Sequence, residues 1–487
     1  MESIIAQISF QAIYPEIVIA ATAMIILLLQ AFSPRESKKV MGYLSLAGVI
    51  LSALMLLGSP GGTEYSFSGT WVIDNYSRFF KLLFLLCTGL TILISLKYLK
   101  EEGIHHGEYF AILLFATVGM MIMVSGADFI TIFLGLELMS ICLYVLTGYT
   151  RGRQISNEAA LKYFVLGSFA TGFLLYGIAL FYGAAGSTSL KSLADITVRN
   201  SFQNYTIIIG MVLMIIGFGF KIAVVPFHMW TPDVYQGAPA PITGFMSAGP
   251  KAAAFAALIR IFVEALPSAR NEWVDLVWIL AVLTMTVGNV VALVQDNVKR
   301  MLAYSSIAHA GYIMVAFIAA REMGISSVLF YLLAYTFMNL GAFAIITVIG
   351  GRNEERVNVQ DFAGFGYRNP VAAVMMSLFL FSLAGIPPTA GFMGKFYIFS
   401  AAIKEGFLGL ALIGVVNSVI SVYYYLRVTI AMYMKEPETA PAGTMGAVLF
   451  PPAIIIAILI SAYGVLRMGI FPSDFIQIAQ QSLIAIK

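Results

Sequence analysis

The stretch Gly217–Asp233, GFGFKIAVVPFHMWTPD, decides how this chain is read. It closes an apolar run that begins near residue 204, yet Lys221 lies inside the run and Pro226 follows five residues later. A proline inside a helix removes a backbone hydrogen bond and clashes with the preceding turn. The helix is therefore expected to break or kink near residues 222–226. Freed backbone groups at membrane depth are tolerated only against protein or a water-filled cavity. A lysine beside such a break is well placed to be hydrated and to exchange a proton.

The rest of the chain supplies the membrane setting. Of 487 residues, 60% are hydrophobic and 11% charged, against about 25% charged in a soluble domain. The apolar residues come in runs of about 18 or more, enough to cross a hydrocarbon core of roughly 30 Å as helices. The expected fold is all-α and integral to the membrane, with about fourteen transmembrane helices. They lie near 14–32, 40–58, 77–98, 108–126, 128–148, 157–184, 204–230, 241–265, 273–294, 299–319, 326–350, 370–403, 408–434 and 446–468. The connections are short, so 1–487 is read as a single polytopic membrane domain. Tyr14–Phe32 is long enough to be a retained span rather than a signal peptide.

Loops on one side carry Arg35, Lys38, Lys39, Arg151, Arg153, Lys299, Arg300, Arg352 and Arg356. This bias makes that side cytoplasmic. An even number of spans then puts both termini on the periplasmic side of a bacterial inner membrane. A net charge of +3 without a basic tract argues against a nucleic-acid partner. Cys87 and Cys142 lack CxxC spacing, so neither a zinc site nor an iron–sulfur cluster is expected. No Walker loop, and no GxGxxG between strand and helix, offers a nucleotide site.

Five basic residues remain inside spans: Lys162, Lys221, Lys251, Arg260 and Lys395. A lysine near the bilayer centre costs about 2.5–3.5 kcal/mol even on a lenient scale, and such residues mark ion or proton paths. Glu137 is the expected partner of Lys221. Ser140 and Tyr144 follow it at i+3 and i+7, on one helix face. Lys251 follows Gly249-Pro250 and shares a face with Thr243 and Ser247. Lys395 follows Pro387-Pro388, which interrupts the twelfth span. Further polar stripes are Ser305/His309/Tyr312, Tyr331/Tyr335/Asn339 and Asn417/Ser421. Taken singly, a polar stripe is most often helix–helix glue. Laid side by side, these form a wire along the membrane plane. His309 is read as a relay, and His228 as either a relay or a cap of the broken helix. Lys162 has Glu158 four residues before it, a favourable helical ion pair; taken alone it reads as structural. Arg260 reads as a snorkelling residue near the end of its span.

The two interrupted spans, seven and twelve, lie five apart. This suggests two five-helix repeats, spans 4–8 (108–265) and 9–13 (273–434). An odd number of spans per repeat forces inverted topology, and paired breaks point to a transport site. Burial disfavours an ammonium and a nearby carboxylate favours it. A Glu137–Lys221 pair would thus act as a switch, passing a proton through Lys251 and His309 to Lys395.

At these residues the chain resembles the antiporter-like membrane subunits of proton-pumping NADH–quinone oxidoreductase, respiratory complex I. The local matches are NEAALKYFVLGSFATGFLLYGIALFYG, FKIAVVPFHMWTPDVYQGAP and GIPPTAGFMGKF. The family's glutamate of helix 5, its lysines of helices 7 and 8, and its basic or acidic residue of broken helix 12 fall on Glu137, Lys221, Lys251 and Lys395. Its helix-6 lysine falls on Lys162, which gives that residue a functional reading too. The lysine at 395 differs from the branch with glutamate there. The chain also ends soon after the last span, unlike the branch with a long lateral helix. The resemblance implies a proton-translocating subunit, a translocase without a redox centre of its own. NADH, FMN, iron–sulfur clusters and quinone would be handled by other subunits, and sister membrane subunits would be its partners. The alternative is a subunit of a multisubunit sodium/proton antiporter without redox function, since the middle match is shared with that group.

Overall fold

Apolar chain without access to water must satisfy its backbone internally, and a helix does so within one segment. In the computed structural model, residues 9–32, 39–59, 62–104, 107–199, 205–354, 356–436 and 449–483 are described. Arg35 and Lys38, counted above for topology, and the first residues of the last expected span lie outside them.

Among the described residues thirteen helices are long and apolar enough to cross a membrane. They are numbered here as spans in chain order: Tyr14–Phe32, Lys39–Gly58, Asn75–Glu101, Glu108–Ser125, Phe129–Thr147, Gln154–Ala185, Tyr205–Ile222, Ala240–Ala265, Arg270–Ala292, Val298–Ile318 and Glu322–Gly350 for the first eleven, then Leu408–Met434 and Pro452–Ile470 for the thirteenth and fourteenth. The twelfth consists of two half-helices, Pro370–Ala384 and Ala390–Lys404. The expectation of about fourteen spans with breaks in the seventh and twelfth holds.

The spans form an inside and an outside. Those numbered eight, ten and eleven are 94% buried, whereas one, two, six and thirteen are 39% buried and turn apolar side chains outward. Lys251, His309 and Tyr331 therefore lie on the innermost helices. Several helix pairs pack backbone to backbone through glycine, among them spans four and five and spans nine and ten. A Cβ on Gly119 would come within 2.6 Å of the Met139 amide, which joins span four to span five. A Cβ on Gly288 would come within 2.7 Å of the Ala308 amide, which joins span nine to span ten. Small residues at such crossings let helices approach closely in lipid.

Three features were not expected. A short hairpin pairs β1 (Glu64–Ser66) with β2 (Trp71–Ile73). Two ten-residue amphipathic helices, Leu190–Arg199 and Pro472–Gln481, are too short to cross. Arg260, expected to snorkel, is buried, and it lies where span eight relaxes into a π-helix over Arg260–Ala265. Its guanidinium forks onto both Asp74 oxygens at 3.1 and 3.0 Å and reaches Glu264 at 3.2 Å. Burial pushes the Asp74 carboxyl up, but the Arg260 charge and the Ser77 amide outweigh it and hold it below the usual carboxylate range. The correction has a plain cause: a carboxylate at the start of span three was within reach, so the arginine did not need the interface.

Candidate functional site

Span seven ends one residue after Lys221. Ala223 takes a left-handed backbone at φ 62°, and Val225-Pro226 is cis. A left-handed non-glycine residue costs on the order of 1–2 kcal/mol, and such residues persist where surrounding structure fixes them. Here the surroundings do so. Trp230 Nε1 donates to the Phe220 carbonyl at 2.9 Å, and the Val225 amide donates to Thr284 Oγ1 at 3.1 Å. The helix resumes at Thr231–Gly237.

Lys221 is thereby fixed in the interior. Its ammonium donates to Ser140 Oγ at 2.8 Å and to the Tyr144 hydroxyl at 3.4 Å, both on the expected face of span five. Glu137, on that same face, accepts instead from Thr171 Oγ1 of span six at 2.9 Å. Glu137 and Lys221 thus make no direct ion pair; the hydroxyls of Ser140 and Tyr144 take the place of the expected carboxylate.

Lys251 in span eight donates to Ser306 of span ten, to the carbonyl at 2.8 Å and to Oγ at 2.5 Å. The Tyr235 hydroxyl lies 3.5 Å from the same Oγ. One turn further along span ten, His309 Nδ1 meets the Tyr331 hydroxyl at 2.6 Å and Nε2 meets the Tyr425 hydroxyl at 3.0 Å. Tyr425 in turn pairs with Ser305. Tyr312, the last member of that stripe, accepts from Asn289 at 3.0 Å and presents its ring 5.0 Å below the Lys395 ammonium.

Lys395 exploits the twelfth span's break. The helix stops at Ala384, Gly385 turns at φ 87°, and Pro387-Pro388 is cis. A helix end leaves carbonyls without partners and carries partial negative charge. The Lys395 ammonium donates to two of these, Leu383 and Ala384, at 3.1 and 2.9 Å, and to Ser418 Oγ at 2.8 Å. Span ten links the Lys251, His309 and Lys395 clusters, since Ser306, His309 and Tyr312 all belong to it.

Two expected residues stand apart. The Lys162 side chain is 42% exposed and pairs with Glu158 at 2.7 Å and Asp233 at 2.9 Å; Asp233 also holds Arg300 at 2.6 Å. His228 sits in the seventh span's break, where its carbonyl accepts the Thr231 amide and its ring lies against the Pro226 backbone.

Two buried lysines, with their carboxylate partners, escaped sequence reasoning. Lys81 pairs with Glu16 of span one at 2.8 Å. Lys299, expected in a cytoplasmic loop, is buried on Glu354 at 2.5 Å, with Arg153 at 3.3 Å from the same oxygen. No sequence signal identifies Glu354; it lies in a polar connection whose partners come from distant segments. Among the described residues no group of three or more His, Cys, Asp or Glu could hold a metal ion.

The family model described as NADH:quinone oxidoreductase/Mrp antiporter, transmembrane, matches residues 126–421, which run from before span five into span thirteen and include Glu137, Lys221, Lys251 and Lys395. The chain belongs to this family. Among relatives of this oxidoreductase/antiporter family, NADH-quinone oxidoreductase subunit N of Trichlorobacter lovleyi is 51% identical, over 98% of this chain and 97% of the relative. A chain of respiratory complex I from Thermus thermophilus superposes with TM-score 0.80 at 34% identity, covering 95% of this chain and 98% of that one. A chain of the Mrp complex from Dietzia superposes with TM-score 0.84 at 20% identity, covering 98% and 97%, a likeness of fold alone.

Proposed function

We propose that this chain is the antiporter-like, proton-translocating membrane subunit of an NADH–quinone oxidoreductase, in the place its relatives name subunit N. One observation carries the reading. Among the described residues, Lys221, Lys251 and Lys395 are buried on neutral oxygens, with no carboxylate in ion-pair contact. Lys81, Arg260 and Lys299 are equally buried but sit on carboxylates. A lysine that loses its proton among hydroxyls and carbonyls strands no opposite charge, whereas a carboxylate left alone in the interior is costly. The lysines of the first group are placed to release and regain a proton, and the cations of the second to keep theirs.

In this reading Glu137 modulates Lys221 across the Ser140–Tyr144 hydroxyls. A proton passes by Lys251, Ser306 and His309 to Lys395, with Lys162 and His228 at the flank. The seventh and twelfth spans' breaks, with the glycine-tight pairs four/five and nine/ten, support two inverted five-helix repeats, 108–265 and 273–434. Flavin, iron–sulfur and quinone chemistry belongs to partner subunits, which supply the driving energy. The chain lies in a bacterial inner membrane with both termini periplasmic. The 51% identity to an oxidoreductase subunit favours this over a redox-free antiporter, matched at 20%.

The test uses the assembled complex in vesicles. Lys221→Ala, Lys251→Ala and Lys395→Ala should each abolish or strongly reduce NADH-driven proton uptake while assembly persists. Full uptake by assembled Lys221→Ala would sink the proposal.

A further inference from the structure

On the side of the bundle where span six begins, an open polar vestibule of about 550 Å³ is lined by Glu102, Glu108, Thr150, Arg151 and Arg153 among others. Its inner wall leads to a buried cluster. Arg153 reaches Glu354 Oε2 at 3.3 Å, and Lys299 reaches the same oxygen at 2.5 Å. Glu354 Oε1 accepts the Ala240 amide at 2.5 Å, at the start of the helix that carries Lys251. Glu354 itself has a left-handed backbone, φ 51°, which local sequence does not favour and the cluster must hold. The groups facing the carboxylate are thus Arg153 from span six, the Ala240 amide from span eight and Lys299 from span ten. The Tyr98 and Tyr109 hydroxyls lie within electrostatic reach.

Beyond the cluster the polar contacts continue inward. Lys299 donates to the Ala238 carbonyl at 2.6 Å, and Thr243 donates to the Tyr235 carbonyl at 3.0 Å and the Ala238 carbonyl at 3.4 Å. Tyr235 reaches Ser306, and Ser306 holds Lys251. Lys299 and Ser306 are seven residues apart on span ten, about two turns and so on one face.

We propose that this vestibule is the proton entrance serving Lys251 and that the Glu354 carboxyl is its loading group. The proposal rests on the translocation reading above. Hydronium in the vestibule gives a proton to the Glu354 carboxylate and leaves water. The carboxyl then yields it, by water along the face of span ten that carries Lys299 and Ser306, to the Tyr235 and Ser306 hydroxyls and so to the Lys251 amine. Carboxylate and ammonium are the products, and no electron moves.

The experiment measures potential formation with a voltage-sensitive dye in vesicles holding the assembled complex, and electron transfer with an ionophore present. Glu354→Gln should slow potential formation several-fold with uncoupled electron transfer retained. Glu354→Asp should keep most of the rate. Formate, a weak acid small enough for the vestibule, should restore Glu354→Gln but not Lys251→Ala. Gly152→Trp, whose Cβ meets open space at the vestibule mouth apart from its chain neighbours, should slow potential formation by narrowing the mouth, and carries the test if Glu354→Gln does not assemble. A normal rate in Glu354→Gln, or a loss that neither aspartate nor formate repairs, overturns the proposal, as does a normal rate in Gly152→Trp. Normal pumping by Lys251→Ala would remove the translocation reading and this inference together. A normal Glu354→Gln beside a dead Lys251→Ala removes this inference alone.

Discussion

A buried cation takes whatever oxygen the packing offers, and the kind of oxygen sets what the residue can do. Arg260 takes both oxygens of Asp74 through one guanidinium nitrogen, in a buried pair. Removing one member of a buried pair costs about 3–5 kcal/mol when the other is left alone, and less here because Glu264 still holds Arg260. Asp74→Asn is expected to lower thermal stability by less than that, read from unfolding in detergent. The pH dependence has a definite sign. Because the folded Asp74 carboxyl lies below its unfolded value of about 3.9, its contribution is full above that value and is lost as pH falls through the folded one. Wild-type protein should lose stability on that acid limb, and Asp74→Asn should show a shallower loss there. An equally steep acid limb in the variant would contradict the assignment. Partners of this sort were not legible in the sequence. Arg260 and Asp74 are 186 positions apart, and nothing local to either names the other.

The helix breaks were legible, because proline has one consistent physical effect on a helix. Pro226 and Pro387-Pro388 placed both interruptions, and the polar stripes on spans five and ten followed from helical spacing. What periodicity leaves out is how a break is closed. The Val225 amide, freed by the turn, is satisfied by Thr284 Oγ1 across a span boundary. Thr284→Val keeps the shape and removes the acceptor. An unsatisfied buried amide costs about 1–3 kcal/mol, so the melting temperature should fall. NADH-driven uptake should fall with it, since Lys221 depends on the geometry of the break. Unchanged stability would mean that another acceptor replaces Thr284.

Across the whole molecule the expected number of spans and their order were recovered, but the loop-derived view of charge was not. Lys299 reads as one more basic loop residue, yet it is sealed beneath Glu354. The positive-inside pattern counts charges without knowing which ones packing removes from water. The Glu137–Lys221 pair was similarly too simple, because two hydroxyls stand where a direct contact was expected. At this scale the Gly119 and Gly288 crossings join different pairs of spans, which the proposed repeats place in different halves. Gly119→Ala and Gly288→Ala should each cost about 1–3 kcal/mol by overpacking. As separate sites with no shared partner, their effects should add to within about 0.5 kcal/mol. A double variant far from additivity would show that the halves yield as one body.

Lys251 grips not only a hydroxyl but also the Ser306 carbonyl, an oxygen in the middle of span ten. That helix is a stiff rod with Lys299 near one end and His309 beyond the grip. A hand that tightens or loosens on the middle of a rod is felt at both ends. In the proposed cycle, each change of charge on Lys251 would also load span ten mechanically, toward Lys299 on one side and the histidine on the other.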